Sequence, residues 1–382
     1  MLLALDFHNE SFLLNVSQGD SRDSLSPAIG LSRTAHSLVA ICLGCILVLG
    51  SLYNSIVLLI FVKFTATRTP INMILLNISV SDLLVCVFGT PFSFASSISG
   101  RWLLGEQGCK WYGFCNSLFG LVSLVSLAML SYERYLTVLK CTKADITDYK
   151  KSWFCIVGSW CYCLCWTLPP LFGWSSYGLE SSGTTCSVVW HSRSLNNISY
   201  IVCLFLFCLV LPLLVMIFCY GHILKVIRGQ VCRINLTAAQ KREHRLLFMV
   251  ICMVTCYLLC WMPYGLVSLI TAFGKPGLIT PTVGIIPSIL AKSSTFINPL
   301  IYIFMNKQFH RCFVALIKCE SGTHITDNIS TSRQSKEVRV ETRCKVQSDI
   351  LLVQKTRKTN EVPSSVQIQR KLTLTVHYRD AR

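Results

Sequence analysis

Seven apolar stretches, each about 20–27 residues long, divide this 382-residue chain: Leu38–Val62, Ile71–Ser97, Trp111–Leu130, Trp153–Phe172, Tyr200–Leu224, Leu246–Ile270 and Pro281–Phe304. A helix rising ~1.5 Å per residue needs about 20 such residues to cross a hydrocarbon core about 30 Å thick. Only Asp82, His222 and Lys292 place acidic or basic side chains inside the seven. Uninterrupted runs of this length predict an all-α membrane protein, a seven-transmembrane helix bundle rather than a barrel of alternating strands. Composition agrees: 14% of residues are charged, against about 25% in soluble domains.

An odd number of crossings puts the termini on opposite sides, and basic residues decide which is which. The first, third and fifth connections carry Lys63 and Arg68, then Lys140, Lys143, Lys150 and Lys151, then Lys225, Arg228, Arg233, Lys241, Arg242 and Arg245. The second, fourth and sixth carry Arg101, Lys110, Arg193 and Lys275. By the positive-inside rule the N-terminus lies outside and the C-terminus in the cytoplasm, as expected of a multi-pass plasma-membrane protein. The formal charge of +17 follows from basic loops facing an anionic leaflet and implies no nucleic-acid partner.

Four regions follow: an extracellular segment 1–36, a bundle 37–305, an amphipathic juxtamembrane helix 306–319 and a polar tail 320–382. The first carries sequons at Asn9 and Asn15, expected sites of glycosylation. Sequons at Asn235 and Asn328 fall on the cytoplasmic side, Asn77 falls inside a helix, and Asn197 abuts the fifth helix, which disfavours glycan use there. In 306–319, Phe309, Cys312, Phe313 and Leu316 recur at i, i+3, i+4, i+7 while Lys307, Arg311 and Lys318 can face lipid headgroups. Cys319 is the expected palmitoylation site, ahead of Cys312. The Ser/Thr-rich tail has no sustained apolar period and reads as disordered. It is either an inert solubiliser or, through Ser330, Thr331, Ser332 and Ser335, a kinase target that recruits arrestin.

Most of the 21 cysteines lie inside the spans, as in Cys161-Tyr162-Cys163-Leu164-Cys165, where they act as small apolar side chains. No paired CxxC motifs occur, so no metal site is expected. Cys109, at the top of the third span, and Cys186, in the long fourth connection, belong to the extracellular side. An oxidising compartment would join them and pin that connection over the bundle mouth.

Lys292 is the chemical anomaly. Eleven residues precede it within Pro281–Phe304 and twelve follow, so it sits roughly 16–18 Å from either end, at the membrane midplane. An ammonium there costs on the order of 2.5–3.5 kcal/mol and should be paired, neutralised or chemically used. Snorkelling to water fails on depth. A buried neutral amine condenses with an aldehyde to give a Schiff base.

One residue or motif per span, in order, carries a resemblance. They are Asn54; Asp82; Glu133-Arg134-Tyr135; Trp160; Pro212 and Tyr220; Cys260-Trp261-Met262-Pro263; and Asn298-Pro299-Leu300-Ile301-Tyr302. Over roughly residues 37–319 the chain resembles the rhodopsin-like G-protein-coupled receptors. Lys292, seven residues before Pro299, occupies the position of the opsins' retinal-binding lysine, and Pro169–Tyr177 is also similar to opsin sequence. Within opsins the chain looks most like the encephalopsin and teleost multiple-tissue group.

The resemblance implies a receptor, not an enzyme, with retinal as cofactor, 11-cis in the dark and all-trans after light, held as a Schiff base on Lys292. A protonated Schiff base needs a carboxylate. Vertebrate visual pigments place a glutamate three residues after the third-helix cysteine, but here that position is Tyr112. Asp82 lies toward the cytoplasm with Asn54 and Asn298 as expected partners, and Glu106 faces extracellular water. Glu180, six residues before Cys186, is the expected counterion, as in many opsins lacking the helix glutamate, and the alternative is a solvated loop glutamate. Tyr112 is placed to donate to the same centre. Loop-counterion opsins often keep retinal after light, which implies bistability here.

Trp261, Tyr264, Gly120, Phe205 and Ser288 are the expected pocket residues, with Tyr257 tuning wavelength beside Ser288; ordinary bundle packing is the competing reading. The switch set is Glu133, Arg134 and Tyr135 with Glu243 as an ionic lock, and Tyr220, Asn298, Pro299 and Tyr302 as movable elements. Partners implied are the lipid bilayer, a heterotrimeric G protein, a receptor kinase and arrestin. Asn306-Lys307-Gln308 resembles a tripeptide through which visual opsins meet transducin-type G proteins, which points to the inhibitory/transducin class. Alternatives are a retinal photoisomerase with little signalling and a receptor for a diffusible ligand in which Lys292 is a salt-bridge partner. A light-driven ion pump would need a chain of buried proton carriers that the spans lack.

Overall fold

A computed structural model of the chain describes residues 31–140, 149–231 and 238–318. Asn9, Asn15, Cys319 and the tail positions named above lie outside the described residues.

The helices in order are α1 (Arg33–Lys63), α2 (Pro70–Phe88), α3 (Thr90–Ser99), α4 (Gly105–Lys140), α5 (Tyr149–Thr167), α6 (Leu195–Phe205), α7 (Leu211–Val231), α8 (Ala238–Phe273), α9 (Pro281–Met305) and α10 (Lys307–Ile317). α2 with α3, and α6 with α7, each make one membrane crossing, giving seven crossings and a short eighth helix. Hydroxyl caps set several starts. Ser32 accepts from the Ala35 amide, Thr69 from Asn72 and Thr280 from Val283, satisfying amides that a first turn leaves without intrahelical partners.

The second crossing breaks where one continuous helix was expected. Pro91 cannot donate to the helical ladder, and its ring opposes the carbonyl four residues back. Gly89 absorbs the resulting bend, at φ −127° and ψ −74°. Glycine is also required there by packing: a Cβ would lie 2.4 Å from Asn116 Oδ1 on α4. The fifth crossing carries a π turn at Leu206–Val210, just before Pro212. A proline forfeits one i→i−4 bond, and an inserted residue in the preceding turn relieves the clash. Tyr162 of α5 donates to the Phe207 carbonyl of that turn at 2.7 Å.

The third and sixth helices outrun their expected apolar cores. At 36 residues each, α4 and α8 are about 54 Å long. Apolar windows mark only the hydrocarbon layer, whereas the backbone ladder continues into polar sequence on both sides.

Six crossings are apolar enough over 18 residues to span by composition alone. The seventh, α9, is not among them because Lys292, Asn298, Pro287 and Pro299 dilute it. Its 25 residues still make about 37 Å, and it packs between α8 and α1. Leu38, Leu59, Phe154 and Leu259 point outward, a lipid-facing surface. The largest buried cluster occupies the cytoplasmic half and includes Ile60, Leu75, Leu127, Met253 and Tyr302. α10 docks into it through Phe309, Cys312 and Ala315. Phe313 and Leu316, half-buried, pack against the same cluster, so the expected set faces inward with Ala315 beside it.

On the extracellular side, β1 (Tyr177–Leu179) and β2 (Cys186–Val188) form an antiparallel hairpin pairing Leu179 with Cys186. Cys186 is bridged to Cys109 of α4, with Cα atoms 5.5 Å apart. The Tyr177 and Tyr200 hydroxyls donate to the last carbonyls of α5, at Thr167 and Trp166. Asn197 is buried, and its amide donates to the Val189 and Ser192 carbonyls. Asn77 is buried too, donating to Ser126 and accepting from Trp160. Both sequon asparagines are committed to internal bonds.

Candidate functional site

A cavity lies between the hairpin and the middle of the bundle. Lys292, Ser288, Gly120, Trp261, Tyr264 and Glu180 all line it, so six of the expected pocket residues, from α4, α8, α9 and the fourth connection, converge. Its space free of atoms, counting the part open to solvent, is about 620 Å³.

Glu180 follows β1, where the chain turns back. Its amide donates to the Thr185 carbonyl at 2.9 Å and its own carbonyl accepts from Gly183. Gly183 sits at φ +71°, a left-handed conformation that favours glycine. The turn aims the side chain inward, where both carboxylate oxygens are occupied: Tyr264 donates to Oε1 at 2.8 Å and Thr185 to Oε2 at 2.7 Å.

Lys292 faces that carboxylate across the cavity. Its Nζ lies 5.7 Å from the centre of the Tyr112 ring, a cation–π distance, and no carboxylate approaches it within 4 Å among the described residues. Tyr112 is fully buried, edge-on to Trp102 at 5.0 Å. It lies beside the cavity rather than in its lining, and its hydroxyl has no partner among the described residues.

Trp261 forms the floor. Its ring fills the notch left by Gly120, where a Cβ would lie 2.8 Å from the ring edge. Its Nε1 donates to Ser294 at 3.1 Å, tying α8 to α9, and Tyr257 stacks on it at 5.7 Å while donating to the Gly120 carbonyl. Phe205 departs from expectation. It does not line the cavity but packs on Trp190 at 6.1 Å in a satellite cluster with Tyr177 and Tyr200.

Toward the cytoplasm, Asp82 accepts from Asn298 at 3.2 Å, as expected. Asn54 does not join them; its amide donates to the Gly50 and Thr295 carbonyls at 2.8 Å each, bracing α1 against α9. The Tyr302 hydroxyl contacts Ser79, and Tyr220 contacts Ser131 at 2.8 Å. Arg134 is buried and Glu133 half-buried, while Tyr135 packs edge-on against Phe218 and His222. The Glu243 side chain lies outside the described residues. Thr185, Ser294, Ser79 and Ser131 went unrecognised in the sequence. Thr185 alone left a signal, a hydroxyl next to the loop cysteine and across a tight turn from Glu180.

A seven-helix membrane receptor with an amine and a carboxylate in one buried cavity is the class that this fold and site define. The model of the 7 transmembrane receptor (rhodopsin family) matches residues 53–302. The chain is 41% identical to Opsin-3 of Mus musculus over 297 residues, covering 76% of this chain and 74% of that protein. It is 34% identical to the visual pigment-like receptor peropsin of the same species, over 81% of this chain and 92% of the relative. The crystal structure of squid rhodopsin superposes with a TM-score of 0.70 at 28% identity, covering 78% of this chain and 92% of that one. The chain therefore belongs to the opsins of the rhodopsin family, a family of multi-pass membrane receptors rather than enzymes. The likeness to Opsin-3 fits the encephalopsin group.

Proposed function

We propose that this chain is a light-sensing receptor that binds retinal through Lys292, uses Glu180 as counterion and activates a heterotrimeric G protein. One observation carries the reading: Lys292 and Glu180 line the same cavity, and Glu180 is held by donors on two separate elements. Retinal, 11-cis in the dark and all-trans after light, supplies an aldehyde for condensation with the lysine amine, with loss of water, and a polyene that absorbs visible light. The cavity residues fit such a group. Among the described residues Lys292 has no ion-pair partner at contact distance and the buried Tyr112 hydroxyl has no hydrogen-bond partner, and aromatic rings with the Gly120 notch provide an apolar bed.

In this reading Glu180 compensates a cation at Lys292, and Tyr112 presents its ring face to the same centre. Trp261 is the first side chain that a change of shape displaces, because its ring fills the Gly120 notch and its indole is bonded to Ser294. Moving it pushes α8 about Pro263, which lies inside that helix and removes one ladder bond. A packed bundle answers by shifting between discrete arrangements. Arg134, with Glu133 and Glu243, is the latch, and outward motion of α8 opens the cytoplasmic cleft.

Asn306-Lys307-Gln308 falls at the junction of α9 and α10, where the Asn306 side chain accepts from the Gln308 amide; on it rests the inhibitory/transducin assignment. Because Cys312 is fully buried, Cys319 is the palmitoylation site. The cytoplasmic tail serves kinase and arrestin, and reliance on the loop carboxylate makes the pigment bistable. The test is purified full-length protein regenerated with 11-cis retinal and assayed for nucleotide exchange on transducin-class G protein. Light should raise exchange at least tenfold and a second, longer wavelength should reverse it. Exchange indifferent to light, with retinal still isomerised, would make the chain a photoisomerase.

A further inference from the structure

Resting on that reading of Lys292 and Glu180, we infer that Thr185 is a positioning residue for the counterion, a hydroxyl that fixes where the negative charge sits and keeps it a charge. The hairpin turn ties the two residues together twice. The Glu180 amide donates to the Thr185 carbonyl at 2.9 Å, and the Thr185 hydroxyl donates to Glu180 Oε2 at 2.7 Å. The first bond is accepted by the Thr185 backbone carbonyl and needs no side chain at 185. The second belongs to the side chain alone and can be removed without touching the turn.

Thr185 has little freedom to turn its hydroxyl elsewhere. It is 2% exposed, and its neighbour Cys186 is bridged to α4. The Ser182 hydroxyl lies 3.3 Å from Thr185 Oγ1. With the Thr185 proton given to the carboxylate, Ser182 is the donor, making a short relay Ser182→Thr185→Glu180. The other oxygen of Glu180 belongs to Tyr264 of α8, a helix that must move on activation. The two donors therefore divide the work. Tyr264 couples the carboxylate to a moving helix, and Thr185 anchors it to the disulfide-pinned lid. The titratable or charged groups facing Glu180 are Tyr264 from α8 and, lining the same cavity, Lys292 from α9, Asp82 from α2 and Tyr257 from α8, with Tyr112 of α4 beside Lys292.

Loss of one hydroxyl bond to a charged acceptor shifts an equilibrium by about tenfold, or about one pH unit. The sign is fixed: removing a donor to the anion favours the neutral acid, so the carboxyl takes up a proton at higher pH. The experiment is an acid titration of the dark visible band of full-length protein regenerated with 11-cis retinal, in wild type, Thr185→Val, Thr185→Ser and Glu180→Gln. Protonation of the counterion leaves the bound cation unopposed and moves the band to longer wavelength. Thr185→Val should undergo this transition about one pH unit above wild type, Thr185→Ser should return it to the wild-type midpoint, and Glu180→Gln should lack it. If Thr185→Val gives no pigment, Thr185→Ala removes the same donor without new bulk and reads the same transition.

A Val or Ala variant that titrates as wild type does, beside an altered Glu180→Gln, overturns the role of Thr185. A transition that persists in Glu180→Gln instead overturns the counterion assignment. Absence of any visible band in wild type overturns the retinal reading itself. A purely structural role would lower pigment yield and leave the midpoint where it was, which also counts against the proposal.

Discussion

Around Lys292 the chain is fastened by a covalent bridge, Cys109–Cys186, and by hydroxyls that occupy both oxygens of Glu180. At the opposite end of the bundle, Tyr302 and Tyr220 each meet a neighbouring helix through one hydroxyl pair, with Ser79 and with Ser131. The first region positions a charge and needs rigidity. The second must exchange one packing for another, and individual hydrogen bonds of about 1 kcal/mol each suit that task. Between the two lies Trp261, bonded to α9 and seated on α4.

Two substitutions test this division. The larger effect is expected at the lid. Cys186→Ala releases a link between residues 77 apart in sequence, worth about 4.5 kcal/mol on chain-entropy grounds, and frees the turn that carries Glu180. The yield of retinal-binding pigment per amount of full-length protein should fall to near zero, and a near-normal yield would show that the lid needs no covalent anchor. A smaller and different effect is expected from Ser79→Ala. It strands the buried Tyr302 hydroxyl at a cost of about 1–3 kcal/mol, so thermal half-life should fall and exchange in the dark should rise several-fold. The dark absorption band should stay where it is in wild type. A displaced band in Ser79→Ala would mean that the two regions are not separable in the way described.

The sequence specified the parts of this molecule that depend on one helix at a time. Long apolar windows placed the seven crossings to within a few residues, and depth within the last of them singled out Lys292. Elimination among few carboxylates led to Glu180, and sidedness paired Cys109 with Cys186. What escaped depends on two elements at once. The break at Gly89 follows from Pro91 together with Asn116 on another helix, and Phe205 packs on Trp190 of the fourth connection rather than in the cavity. Asn54 bonds α9 backbone rather than Asp82 because Thr295 lies nearer its amide. Thr185, Ser79 and Ser131 are ordinary hydroxyl residues with no periodicity to mark them; only the folded chain brings each to its partner.

The most direct test of the account is the light-minus-dark spectrum of the full-length protein regenerated with 11-cis retinal, recorded for wild type and for Lys292→Ala. Wild type should show a visible dark band that changes on illumination, and Lys292→Ala should show none at equal protein and comparable folding. A visible, light-sensitive band that survives in Lys292→Ala would contradict the assignment on which the rest of the reading stands.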